Sequence, residues 1–165
     1  MKPEIIIVDE KDRIIGFKDR NAIDEKDIYR VSALWITDSE GNILLAKRHR
    51  NKINNPGKWG PAVSGTVERD ESYEQNIIKE TEEELGLKNV FMKVGPKMEI
   101  EGNHRHFTQW YYLNSDMPTS KFDIQKEEVE EVKWFSREEM KEKLKSRPEE
   151  FIPKMEDYFE MFDHQ

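Results

Sequence analysis

Glu80, Glu83 and Glu84 stand at positions i, i+3 and i+4. On a helix that spacing sends three carboxylates from one face within about a turn of each other. Glu80 and Glu84 are then a like-charge i, i+4 pair, which weakens a helix by about 0.2–0.5 kcal/mol. Lys79, four residues before Glu83, offsets only part of this. The face is either a solvated acidic surface or a set of hard oxygen ligands for Mg²⁺ or Mn²⁺, cations that bridge carboxylates to substrate phosphates.

The element that positions these acids is readable from its ends. Ser72 with Gln75 forms a capping-box pattern, and Gly86 is a left-handed stop. Between them Ile77, Ile78, Thr81 and Leu85 make an apolar stripe that seats the helix on a sheet. Upstream, residues 4–8 and 13–17 flank Asp9-Glu10-Lys11-Asp12 as an N-terminal hairpin, about residues 4–17. Val31 to Thr37 and Ile43 to Arg48, joined by Asp38–Asn42, form a central hairpin. Lys47, Arg48 and Arg50 place positive charge at its end, for solvation or for phosphate contact. Residues 51–60 read as a loop in which Trp59 packs rather than stacks on a base.

Downstream, Val90–Val94, Lys97–Glu101, His104–Asn114 and Glu127–Phe135 read as strands. His104, His106, Thr108, Trp110 and Tyr112 share one strand face, where the histidines meet a ligand or only solvent. Helices fill about residues 136–162: one opens at Ser136, and another spans roughly Glu149 to Phe162, with Pro153 an alternative for its first turn. The second carries Phe151, Ile152, Met155, Tyr158, Phe159 and Phe162, a stripe belonging to the core or to a homodimer interface.

From Gly65 the order is Gly, five residues, Glu71, seven residues, then Lys79-Glu80-Thr81-Glu82-Glu83-Glu84-Leu85-Gly86-Leu87. This closely resembles the Nudix box, with Lys79 in place of arginine and Thr81 in place of an aliphatic residue. The resemblance implies an α/β fold, an α/β/α sandwich with a mixed sheet between helices. It also implies metal-dependent hydrolysis of a diphosphate bond in a nucleoside diphosphate linked to another group. Glu80, Glu83, Glu84 and the Gly65 carbonyl are then the expected metal ligands, for Mg²⁺ or Mn²⁺. Family arginine orients a glutamate through a fork of hydrogen bonds; Lys79 brings the charge without that geometry. Glu83 is the first choice of general base, with Glu127, Glu128 and Glu131 in reserve. Arg48 and Arg50 are the expected substrate contacts.

The layout also resembles the isopentenyl-diphosphate isomerase branch. Its catalytic cysteine falls on Ser64, and two of its metal-binding histidines fall on Tyr29 and Thr66, which argues against that reaction. A regulatory, non-catalytic Nudix-fold module is the other alternative.

With 165 residues, 35% hydrophobic and 38% charged, the chain is expected to form a single domain, 1–165. It has no cysteine, which excludes disulfides, thiolate metal sites and a cysteine nucleophile. No long apolar run is present, so a cytoplasmic protein with no membrane partner is expected. The net charge of −8 argues against nucleic acid as a partner and suits a cation-assisted site for anionic substrates.

Overall fold

A computed structural model describes residues 3–163. In chain order the elements are β1 (Glu4–Val8), β2 (Ile14–Asp19), β3 (Ile28–Thr37), β4 (Ile43–Arg48), β5 (Trp59–Pro61) and β6 (Val63–Thr66). They are followed by α1 (Tyr73–Leu85), β7 (Lys93–Ile100), β8 (Arg105–Asn114), β9 (Val129–Phe135), α2 (Arg137–Ser146) and α3 (Met155–Asp163).

The sheet is built outward from β3. One edge of β3 pairs with β8, parallel, from Ile28↔Arg105 to Thr37↔Asn114. The other edge takes β1 at Ile28–Tyr29, β6 from Val31 to Leu34, and β4 at Ile36–Thr37, all antiparallel. The expected central hairpin is therefore joined only beside its turn. β4 pairs with β9 from Ile43 to Arg48, and beyond Leu44 it leaves β3 and pairs with β5 instead. The divergence opens a wedge that β6 and side chains fill.

Alternation along β3 divides the core. Leu34 and Ile36 face α1, with Ile77, Leu85, Val63 and Tyr111. Ala33 and Trp35 face α2 and α3, with Met140, Met155, Tyr158, Phe159 and Phe162. Trp35 stacks on Phe162 at 4.7 Å between centroids, and Trp110 meets Tyr158 edge-on at 4.9 Å. The C-terminal aromatic stripe is thus internal core, each fully buried side chain adding about 1.5–3 kcal/mol. With helices on both faces of a mixed sheet, the fold is an α/β/α sandwich. No helix among the described residues is long and apolar enough to cross a membrane.

Several boundaries differ from the sequence reading, each for a local reason. The last helix starts at Met155 rather than near Glu149, because Pro148–Glu150 forms a short 3-10 turn and Lys154 takes φ 71° before the helix. The two expected strands at 90–101 are one strand, β7, with a register shift between Val94 and Lys97 around Gly95-Pro96. Residues 51–60 end in strand, since Trp59 pairs with Lys47 and packs on Phe135 at 5.0 Å. Ile78 is 49% exposed, and the position packed beside Ile77 is the polar Asn76.

The N-terminal hairpin is clamped to the sheet through its turn. Asp12, at φ 60°, accepts from Arg30 Nε at 2.8 Å, Lys97 Nζ at 2.6 Å and Tyr73 Oη at 3.0 Å. Burial pushes the Asp12 carboxyl up, but these donors outweigh it and hold it below the usual carboxylate value. Asp12→Asn preserves the left-handed backbone and removes the charge. It is expected to lower stability at pH 7 by about 2 kcal/mol, within the range for hydrogen bonds to charged groups. The Asp12 contribution is present above the unfolded-state pKa and lost as pH falls through the lower folded value. Urea denaturation should therefore show the gap between wild type and variant closing in acid.

Candidate active site

The acidic helix has the ends its sequence specifies. Gln75 N–H donates to Ser72 Oγ at 3.0 Å, and Ser72 N–H to Gln75 Oε1 at 2.9 Å. Gly86 closes the helix at φ 70° with its N–H on the Glu82 carbonyl. The helix lies close against β6. A methyl group on Gly65 would come 2.5 Å from Glu80 Cγ and 2.8 Å from its Cδ, so only glycine lets the Glu80 stem lie on the strand.

Of the three glutamates, Glu80 and Glu84 are partly buried and Glu83 is exposed. Burial, then repulsion from Glu83, raises the Glu80 carboxyl to about 7, against an ordinary 4.5. Burial, then the charges of Glu80 and Glu128, raises Glu84 to about 8. Lys79 does not neutralise them: its Nζ lies 2.7 Å from Glu71 Oε2, 3.5 Å from Glu68 and 3.9 Å from Glu80. Burial works against Glu71 ionising, yet hydrogen bonds from Lys79, the Glu68 N–H and Asn76 keep it below its usual value.

Among the described residues no three acidic or histidine side chains are gathered at metal-binding spacing. The donor chemistry nevertheless fits a hard dication. Two desolvated carboxylates repel each other beside a backbone that presents Gly65 and Ser64, and the nearest lysine is committed elsewhere.

Glu84 opens onto a cavity of about 580 Å³. At its charged end stand Arg48, Lys52, Glu84, Glu128 and Ser64. Arg48 is half-buried; burial lowers its pKa while Glu84 and Glu128 raise it. Its Nε donates to the Asn54 carbonyl at 2.9 Å. Lys52 pairs with Glu128. The other walls are Tyr29, Val31 and Ala33 of β3, His106, Thr108 and Trp110 of β8, and Ile152 and Tyr158. Burial drops the His106 imidazole to about 4, so it is neutral near pH 7. Its ring lies 5.2 Å from that of Tyr29, and its Nδ1 is 2.9 Å from Thr108 Oγ1. His106, Thr108 and Trp110 of that strand face thus form a cavity wall rather than a solvated surface, whereas His104, just ahead of β8, is exposed at the cavity rim.

Arg50 lies outside this cavity; it is exposed and pairs with Glu130 at 2.9 Å. Of the reserve acids, Glu128 lines the cavity, whereas Glu127 and Glu131 are exposed. The sequence reading did not single out Lys52 or Asn76. Neither stands at a fixed motif position, so spacing alone did not mark them.

A family model of the NUDIX domain matches residues 27–155, spanning β3 to the start of α3. The chain belongs to the Nudix family. This Nudix hydrolase is 32% identical over 148 residues to a prenyl-diphosphate phosphatase of Methanosarcina mazei, covering 88% of this chain and 86% of that protein. It is also 32% identical over 149 residues to an uncharacterized Nudix hydrolase of Yersinia pestis, covering 89% and 78%. Two solved structures share the fold. DR0079 of Deinococcus radiodurans superposes with a TM-score of 0.82 at 18% identity, over 96% of this chain and 99% of that one. The Nudix domain of Shewanella oneidensis NrtR, complexed with ADP ribose, gives 0.65 at 17% identity over 88% and 92%.

The raised carboxylates give this Nudix hydrolase a testable pH dependence. Each folded-state pKa lies above its unfolded value, so the metal-free protein binds more protons folded than unfolded between about pH 4.5 and 8. In chelator their contribution to stability should fall as pH rises through that window. Mg²⁺ should offset the loss at the upper end, and Glu84→Gln should flatten the slope, as read by thermal denaturation from pH 5 to 8.5.

Proposed function

We propose that this hydrolase cleaves the diphosphate bond of a nucleoside diphosphate linked to another group, using Mg²⁺ or Mn²⁺ held by Glu80, Glu83, Glu84 and the Gly65 carbonyl. The observation that carries this reading is the position of Glu84. It stands at the charged end of the cavity, within the field of both the Glu80 carboxylate and Lys52, with its own carboxyl raised to about 8. When bound, the cation supplies Lewis-acid polarisation of the phosphoryl oxygens and charge neutralisation in the transition state.

The chain's own residues supply the rest. Arg48 and Lys52 bind phosphate oxygens at the charged end of the cavity. Lys79 keeps the Glu71 side of α1 in place. Glu128, beside Glu84 and inside the cavity, takes the proton of the attacking water, a role that Glu83 fills less well from its exposed position. Arg50, held by Glu130 at the surface, would meet only a substrate that extends out of the cavity. The neutral His106 and the Tyr29 ring receive the organic part of the substrate without adding charge.

A second substrate class has its own support. Val31, Ala33, Ile100, Val129 and Ile152 form an apolar lining, and a relative 32% identical is named a prenyl-diphosphate phosphatase. A prenyl group would occupy the same wall that a nucleoside would. The C-terminal aromatics are spent inside the subunit, so a homodimer would have to pair through another face.

Product release from nucleotide sugars, ADP-ribose, dinucleoside polyphosphates, nucleoside triphosphates and short prenyl diphosphates, each with Mg²⁺, Mn²⁺ or chelator, tests the proposal. Metal-dependent turnover is expected. Glu84→Gln should lower it by more than the about 10- to 100-fold that loss of an outer-shell partner costs. Near-normal turnover in both Glu83→Gln and Glu84→Gln would overturn the site. Glu128→Gln should reduce kcat about 10²- to 10⁴-fold with metal affinity kept, as a base does. Tight nucleotide binding without turnover would indicate a regulatory module instead.

A further inference from the structure

An arginine at position 79 would offer a planar fork able to donate two parallel hydrogen bonds to one carboxylate, whereas a lysine ammonium is a point donor. Here Glu71 nevertheless has donors on both oxygens. Lys79 Nζ is 2.7 Å from Oε2. Asn76 Nδ2 donates to Oε1 at 3.1 Å, and the Glu68 backbone N–H donates to the same oxygen at 2.8 Å.

Asn76 is fully buried on the inner face of α1. Its Nδ2 also donates to the Thr66 carbonyl at 3.1 Å, so each amide hydrogen has an acceptor. Its Oδ1 accepts from the Ser32 hydroxyl. Both Nδ2 partners are oxygens that can only accept, which determines which way the amide faces. Ser32 pairs with Gly65 across β3 and β6, and Asn76 Oδ1 lies 3.1 Å from where a Gly65 Cβ would stand. The amide therefore sits between the strand that carries the Gly65 carbonyl and the loop acid that holds Lys79.

We propose that Asn76 is a positioning residue for the metal site. It supplies the second side-chain donor on Glu71 that Lys79 cannot, so that the two together hold Glu71 as a single arginine would. With Glu71 held, Lys79 stays where its charge also faces Glu80 at 3.9 Å, and the Glu80 stem stays against Gly65. Removing the amide frees Glu71 to rotate, and Lys79 then follows Glu71 or collapses onto Glu80. Either change misplaces a ligand without touching the substrate cavity. The inference rests on the metal-site reading, and the experiment separates the two.

Mn²⁺ affinity, read from the free-ion electron paramagnetic resonance signal, needs no substrate. It should be measured for wild type, Asn76→Leu, Lys79→Arg and the double variant, with kcat and KM in Mg²⁺ alongside for the best substrate. Asn76→Leu should weaken Mn²⁺ binding about tenfold, as outer-shell losses do, and lower kcat with KM little changed. In the Lys79→Arg background the same substitution should cost no more than about threefold, a non-additivity that general destabilisation does not produce. Should Asn76→Leu not fold, Asn76→Asp, which keeps the shape and removes the donor, carries the same comparison. Equal losses in both backgrounds, or none in either, would overturn the positioning role while leaving the metal site standing. Absence of Mn²⁺ binding in wild type would overturn both.

Discussion

The close approach of α1 to β6 at Gly65 is the constraint on which the site depends. A side chain there would collide with the Glu80 stem, so the strand offers bare backbone to a helix that must bring carboxylates to it. The approach is held from the other side by Ile77 and Leu85, both fully buried against β3 and β6. Hydrophobic burial thus supplies the free energy that pushes Glu80 and Glu84 partly out of water. Their raised pKa values record the cost. A surface helix with the same spacing would have relaxed its acids into solvent.

The cavity arises from strand exchange around β3. Because β3 takes three successive partners along one edge, β4 diverges from it and carries Arg48 to the cavity. The β8 strand keeps full parallel register on the other edge and lays His106, Thr108 and Trp110 along the opposite wall. Glu128, just before β9, arrives through the β4–β9 pairing, whose shift between Lys47 and Arg48 lies beside it. Three chain segments distant in sequence therefore meet at Glu84, and the aromatic core under α3 holds the wall in place. The same divergence explains why the floor is apolar: it is the exposed margin of the core between β3 and α3, left uncovered where β4 departs.

Sequence alone determined the acidic helix, its caps and, through the motif that Gly65 opens, the family to which these belong. Those features are local: capping needs residues three apart, and a helix face repeats every three to four positions, so spacing carries the geometry. The N-terminal hairpin was legible for the same reason, since alternation marks each strand, whereas the sandwich of helices on a mixed sheet came from the family resemblance. Tertiary structure decided which polar residues serve the site. Arg48 and Arg50, two positions apart, have opposite fates, because the strand ends between them and Glu130 captures the second. Glu127, Glu128 and Glu131 were equivalent as letters, and only the pairing of β9 with β4 turned Glu128 into the cavity. Asn76 carried no signal in the sequence, and only the fold set Ser32, Thr66 and Glu71 around it. Partners brought together from distant strands set burial, and burial, not residue type, sets what a carboxylate or an amide can do.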